Sequence, residues 1–448
     1  MLREKIIFLL SLLLHTIYTM DQAVQEVRLI NERIGEALQK AFISLESMID
    51  GDLFTDVPNR LMYATDASAF RELPLAVCRP RHENDLLQLV RFANENKITL
   101  IPRTAGTSLA GQVVGRGLVV DISRYMGAIL EVNEEERWVR VQPGVILDEL
   151  NKELRPTGLF FSPETSTSNR CMIGGMIGNN SSGLHSLVYG STREHLLEVR
   201  MILEDGTMAT FGETDLEGII TKGQMDNAEG RIYRTIHEML SDPSNISSIV
   251  DEFPDPEVVR RNTGYALDEL ARTRIYKQED YTHETFNLCR LIAGSEGTLG
   301  IITEAKLALD PLPPGRKALI PVHLQSVKEA IRGNLIALRH QPAAVELMDK
   351  TILDLTEGNI GQRKNRFFLK GEPGAILIVE FVGEDINVLE EKARAMELEF
   401  RDAGLGYHFP FITGSDIPRV WNLRKAGLGV LSRMKGDAKP VSVIEDTS

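Results

Sequence analysis

Apolar residues recur every three or four positions through residues 22–48, at Val24, Val27, Ile30, Ile34, Leu38, Ala41 and Leu45, the spacing of an amphipathic helix. The periodicity then fades, and residues 52–73 read as an irregular entry segment. From there the pattern sharpens into short strands at 77–80, 98–102, 118–123 and 137–142. A helix with a stripe of Leu86, Leu89, Val90 and Ala93 is expected over 83–96, and a second over 145–154, after Pro143-Gly144. Residues 198–203 and 208–211 flank Asp205-Gly206, the strongest short-range signal for a hairpin. Residues 214–285 are more charged and more helical, with candidate helices at 232–240 and 267–271, and read as an elaboration between strands. Alternation resumes at 304–309 until Pro311, Pro313 and Pro314 end the strand and mark a boundary. Beyond it the pattern predicts strand 318–324, helix 327–339, strand 344–348, strand 375–381, helix 388–401 and strand 407–412, the β-α-β-β-α-β order of a ferredoxin-like layer.

The N-terminus opens with Arg3 and Lys5 before an apolar run at 6–14 broken by Ser11. The run is too short to span a bilayer and lacks a small-x-small cleavage pattern, so residues 1–19 are placed outside the fold, with Met20 as an alternative start. At 448 residues, 43% hydrophobic and 25% charged, the chain is long enough for two or three domains of ordinary globular composition. A net charge of −14 argues against nucleic-acid partners. Three widely separated cysteines, Cys78, Cys171 and Cys289, exclude an internal cysteine-ligated cluster of the usual spacing and point to a reducing, cytoplasmic setting.

Three stretches of small residues carry the candidate chemistry. The central one, SPETSTSNRCMIGGMIGNNSSG at 162–183, places Gly174, Gly175, Gly178 and Gly183 among short polar side chains. Backbone N–H groups in such a segment can form a concave donor surface for an oxygen-rich anion such as a pyrophosphate. The same composition suits a plain glycine-rich surface loop, and only the other segments separate the two readings. One, RTAGTSLAGQ at 103–112, leaves the strand at 98–102; the other, AGSEGTLGIIT at 293–303, runs into the strand at 304–309. A strand followed by a small-residue loop is the geometry in which amides surround a phosphate.

In this order the three loops, with Tyr189-Gly190, resemble the FAD-linked oxidases of the vanillyl-alcohol-oxidase and para-cresol-methylhydroxylase (PCMH) type, most closely D-lactate dehydrogenases and the glycolate-oxidase flavoprotein. The resemblance is dense over residues 77–312. It implies an α+β fold: a PCMH-type FAD-binding domain of two subdomains at 69–312, after an N-terminal helix and entry segment at 20–68, followed by an incomplete ferredoxin-like cap at 313–448. By position, Arg103, Thr104, Ala105, Gly106, Thr107 and Ser108 would wrap the pyrophosphate, with Gln112 nearby. Pro163, Glu164, Thr165, Gly174, Gly175, Asn179, Ser182 and Gly183 would line the ADP and ribityl portion, and Glu296, Ile301 and Ile302 the adenine-ribose side. Thr104 and Ala105 stand where relatives carry glycines, and no histidine occupies that loop, so the FAD is expected to be held non-covalently.

In the cap, Trp421-Asn422-Leu423-Arg424 resembles the family's Trp-x-Leu-Arg segment, which implies that Arg424 grips the carboxylate of a 2-hydroxy acid. The family's metal-binding histidine and glutamate segments do not occur before Ser448, and no metal is expected. His323, His340 and His408 lack partners at ligand spacing, and neither His185 nor His195 is assigned to catalysis. The resemblance implies an FAD-dependent D-2-hydroxy-acid dehydrogenase, acting on a D-lactate- or glycolate-like substrate by hydride transfer to flavin N5. The alternative is a catalytically incomplete FAD-binding fragment of a split or longer flavin and iron–sulfur oxidoreductase. The resemblance leaves room for an iron–sulfur partner or a missing C-terminal region without specifying the electron acceptor, and membranes would be reached only through that acceptor.

Overall fold

The computed structural model describes residues 35–431, apart from 256, 257, 259–263, 278 and 280, together with Gly436. The apolar segment at 1–19 and much of the helix expected at 22–48 lie outside these residues; within them the helix runs Glu36–Glu46. Among the described residues no helix is long and apolar enough to cross a membrane.

The first sheet contains β1 (Asp52–Phe54), β2 (Ala76–Arg79), β3 (Leu100–Arg103) and β4 (Leu118–Asp121) in the order β1-β2-β4-β3. Strand β4 is parallel to both β2 and β3, so β2 and β3 need a crossover, and helix Glu83–Asn96 supplies it. Its stripe of Leu86, Leu89 and Val90 packs with Ala76, Cys78, Leu118 and Val120 of the sheet and with Phe42 and Leu45 of the first helix. The entry segment is more regular than expected. It holds β1, paired antiparallel to β2, and helix Val57–Met62, whose start is capped by the Asp56 side chain accepting from Asn59 N–H. Both elements are too short to show a period.

The second sheet is antiparallel and is built from β5 (Ile129–Asn133), β6 (Trp138–Val141), β7 (Leu196–Ile202), β8 (Met208–Phe211) and β9 (Ile301–Ala308) in the order β5-β6-β9-β7-β8. The hairpin at Asp205-Gly206 joins β7 and β8 as the sequence indicated. Strand β9 alternates buried and half-buried residues and buries Ala305 and Leu307 in the largest core. The intervening stretch is helical, with Leu216–Gly223, Ala228–Leu240, Pro243–Glu252 and Leu267–Ala271.

The C-terminal layer has β10 (Arg316–Leu324), β11 (Ala344–Asp349), β12 (Ala375–Gly383) and β13 (Ile412–Thr413) in the order β11-β12-β10-β13, all antiparallel. This is the ferredoxin-like arrangement. One face is covered by helices Val327–Arg339 and Ile386–Asp402 through Ile336, Ala337, Ala393, Met396 and Phe400. The opposite face buries Leu319, Met348, Ile376 and Ile378 against Leu353, Val420 and Leu423. The last strand is shorter than the expected 407–412: at 408 only a single bridge to His323 forms, and the ladder begins at Ile412.

Candidate active site

A cavity of about 320 Å³ opens between the two N-terminal sheets, where the three small-residue stretches meet. The first stretch leaves the C-terminal end of β3, the second follows helix Leu147–Leu154, and the third enters β9. The central stretch is not loop throughout. Residues Ile173–Asn179 form a helix that buries Ile173, Met176 and Ile177, and its glycines let neighbouring chain come close. A β-carbon at Gly175 would lie 2.6 Å from Thr104 Oγ1, so these two stretches touch at the cavity wall only because the residue is glycine.

Of the residues expected at the cofactor, Arg103, Thr104, Gly106, Thr107, Ser108, Gln112, Thr165, Gly174, Gly175, Asn179, Ser182, Glu296 and Ile302 line this one cavity. Ala105, Pro163, Glu164, Gly183 and Ile301 do not. Ile301 is buried in the core under the first sheet, its side chain turned from the cavity by the alternation of β9. Glu164 turns instead toward His185. Gly183 is fixed by this turn, since a β-carbon there would stand 2.3 Å from the Glu164 carbonyl oxygen. Met172, Met176, Met201 and Ile292 also line the cavity and supply an apolar wall. Met172 and Met176 lie within the central stretch, whereas Met201, on β7, and Ile292, just ahead of the third stretch, belong to none of the three motifs.

The wall is thus apolar on one side and, through Thr104, Thr107, Ser108, Thr165 and Ser182, rich in small donors on another. That donor set suits a ligand with both a phosphate portion and a flat apolar one, and the close approach at Gly175 shapes the backbone to receive it.

Beside the cavity a polar network joins the central stretch to the C-terminal layer. His185 Nδ1 lies 2.7 Å from Glu164 Oε1, and its Nε2 lies 2.8 Å from Glu380 Oε1 on β12. Lys317 Nζ on β10 donates to the same Glu380 oxygen at 3.1 Å, and Trp421 Nε1 donates to the other at 3.1 Å. Burial pushes the His185 imidazole toward its neutral form, but its hydrogen bonds to Glu164 and Glu380 outweigh this and raise it to about 9. Burial likewise raises the Glu380 carboxyl, and the His185 hydrogen bond and Lys317 charge bring it below the ordinary carboxylate range. Arg424, on helix Ile417–Lys425, is held by Glu346 of β11.

His195, His323 and His340 are hydrogen-bonded where they stand. His195 Nε2 and the Ser162 hydroxyl converge on the same Asp310 oxygen; Ser162 donates to that carboxylate, so the trio pins chain segments and has no free nucleophile. His323 donates from Nδ1 to Pro321 O and accepts at Nε2 from Lys370 N–H, a core role, while His340 pairs with Glu399. Among the described residues, Asp50, His82 and Asp85 come within metal-ligand distance of one another, but the Asp85 carboxylate is already taken by the backbone N–H groups of Asp50 and Arg81.

Two sheets enclosing a cavity of small-residue loops, joined to a split β-α-β layer, form an α+β fold whose cavity suits a nucleotide cofactor. Residues 74–212 match the family described as "FAD binding domain", and residues 314–448 match "FAD linked oxidases, C-terminal domain". The chain belongs to the PCMH-type FAD-linked oxidases, and its cofactor is FAD. It is 34% identical to the D-2-hydroxyglutarate dehydrogenase of Escherichia coli (strain K12), over 95% of this chain and 41% of that protein. It is 25% identical to the glycolate oxidase subunit GlcD of Bacillus subtilis (strain 168), over 87% of this chain and 68% of that one. It is also 25% identical to the mitochondrial D-lactate dehydrogenase [cytochrome] of Kluyveromyces lactis, over 88% and 58%. The chain therefore spans well under half the length of the D-2-hydroxyglutarate dehydrogenases it matches. Among solved structures, an alkyldihydroxyacetonephosphate synthase shares the fold at a TM-score of 0.58 with 17% identity, covering 88% of this chain and 65% of that one.

Proposed function

We propose that this chain oxidises a D-2-hydroxy acid to the 2-oxo acid, with D-2-hydroxyglutarate a stronger candidate substrate than D-lactate or glycolate. The preference rests on the 34% identity to D-2-hydroxyglutarate dehydrogenase against 25% to the glycolate- and D-lactate-oxidising relatives. When bound, FAD would supply the two-electron acceptor for this oxidation, and the hydroxyl proton would be released to solvent. Arg103, Thr104, Gly106, Thr107, Ser108, Thr165, Gly174, Gly175 and Ser182 hold the cofactor through backbone and short side-chain donors, without a covalent link. Arg424 orients the substrate carboxylate, and Trp421 on the same helix, its indole N–H committed to Glu380, shields that pair from water.

The observation that carries the reading is the convergence of three loops, drawn from segments nearly two hundred residues apart, on one cavity whose central stretch is linked through His185, Glu380 and Trp421 to the helix that bears Arg424. The test is an absorbance spectrum of purified protein followed by anaerobic addition of D-2-hydroxyglutarate, D-lactate and glycolate. Bound yellow flavin that D-2-hydroxyglutarate bleaches fastest supports the proposal. Flavin that none of the acids bleaches favours a chain that holds FAD but needs further protein to turn over, and protein that cannot be reconstituted with FAD overturns the reading.

A further inference from the structure

Glu380 is buried to 1% exposure in the middle of a sheet, yet it faces a second carboxylate across a single imidazole. Its two oxygens receive three donors: His185, Lys317 and Trp421. Glu164 Oε1 receives two from one residue, the His185 ring and the His185 backbone N–H. A carboxylate surrounded by donors on this scale is ionised and can only accept, so each ring nitrogen of His185 must donate. An imidazole that donates from both nitrogens is an imidazolium.

The position of this cation matters as much as its charge. Glu164 belongs to the central stretch and His185 follows it by two residues, and the nearby Thr165 and Ser182 line the cavity. Glu380, Lys317, Trp421 and Arg424 belong to the C-terminal layer. Helix Ser186–Tyr189, which follows His185 directly, packs on β11, whose charged side chains are Glu346, paired with Arg424, and Asp349, which caps helix Lys350–Glu357. Each charged group facing His185 is thus accounted for: Glu164 from its own segment, Glu380 from β12, and Lys317 from β10 on the same Glu380 oxygen.

We propose that His185 is a fixed imidazolium and a positioning residue: by bridging Glu164 and Glu380 it anchors the C-terminal layer on the cofactor cavity and, through Glu380 and Trp421, sets the placement of the helix that carries Arg424. The consequence for substrate orientation rests on the role proposed above for Arg424; the imidazolium and the anchoring do not. A neutral ring donates from one nitrogen only, so loss of its proton leaves either the buried Glu380 or the half-buried Glu164 facing a lone pair. This agrees with the elevated affinity of the ring for its proton.

The test uses the full chain with FAD bound. Nitrogen-15 spectra of histidine-labelled protein should show one residue, absent in His185→Gln, protonated at both nitrogens at pH 7.5 and titrating near 9; a neutral tautomer at that pH overturns the proposal. Glu380→Gln should move that titration down by at least one unit. Hydrogen exchange of residues 417–425, corrected for the intrinsic pH dependence, should rise at least tenfold in His185→Gln. In the unmodified protein it should rise as pH passes 9, whereas His185→Arg, a permanent cation, should retain protection and show no such step. Equal protection in the unmodified protein and His185→Gln across this range overturns the positioning role. Arg424→Ala should leave the titration unchanged. If Arg424→Ala also reduces its flavin normally, the carboxylate-gripping role fails while the inference about His185 stands.

Discussion

The guanidinium of Arg424 is gripped by the carboxylate of Glu346, with Nε at 2.8 Å and a terminal nitrogen at 2.7 Å from the same oxygen. Both contacts use one edge of the planar fork and hold it at a fixed angle, leaving the other terminal nitrogen for a second carboxylate. Replacing Arg424 with alanine should therefore slow hydroxy-acid-dependent flavin reduction roughly tens- to a thousandfold, the range typical for loss of a charge-assisted pair in a partly buried site. Lysine should recover only part, since it cannot present a planar fork to both partners. Stopped-flow reduction with D-2-hydroxyglutarate measures this, and flavin content should not change. Reduction at the unmodified rate and affinity would place the carboxylate site elsewhere.

Acid precipitation should release the flavin into the supernatant. Among the described residues lining the cavity there is no histidine, and Cys171, the one cysteine there, has its thiol pushed up by burial and accepts a hydrogen bond from Thr165 Oγ1, which leaves it a poor nucleophile. Yellow colour that stays with the pellet would contradict non-covalent binding.

Gly175→Val should abolish FAD binding at micromolar cofactor while the protein still unfolds cooperatively. The new side chain would meet Thr104 Oγ1 and enter the cavity at the point where two of its three walls touch. Gly174→Ala is expected to add a packing cost, since its β-carbon would lie 2.6 Å from Cβ of the rigid Pro143 ring, and should lose roughly 1 to 3 kcal/mol of stability. Flavin titration and thermal melts on the two variants separate a cofactor-site effect from a packing effect.

His323 yields a pH prediction of opposite sign to that of His185. Burial, followed by the proximity of His408 and Lys370, holds its ring down at about 4, against an ordinary value near 6.5. The unfolded chain takes up this proton before the folded one does, so the contribution of His323 is fully present above pH 6.5 and is lost as pH falls toward 4. Melting temperatures of the unmodified protein should drop over that window, and His323→Gln, which can keep a neutral donor and acceptor, should flatten the drop. A parallel decline in both proteins would mean that other groups dominate acid unfolding.

Much of the fold was legible where burial imposes a long period. Helices 83–96 and 327–339 were read to the residue, because each shows an apolar stripe over nearly four turns and a clear start. The β1 strand and the helix after it were not, being three and six residues long. The central glycine stretch hid a helix because its composition argues against one; tertiary packing of Ile173, Met176 and Ile177 overrides the local preference. Most of the proposed cofactor contacts were visible as three motifs, while Glu164 looked like a cofactor residue and proved to be half of a bridge. Its link through His185 to Glu380 spans about two hundred positions and leaves no local pattern, since a buried glutamate on a strand reads as an ordinary polar break.

The place of β9 in its sheet has a consequence for how the molecule is made. It lies between β6 and β7, yet it follows β8 in the chain by some ninety residues. Until it is synthesised, two inner strands present bare edges and the third cavity wall does not exist. Folding of the N-terminal half thus waits for a distant segment, a high-contact-order closure that is intrinsically slow and exposed to mispairing. A nascent chain stopped just short of β9 should aggregate, and an excess of FAD should not rescue it, because the cofactor would find only two of its three walls.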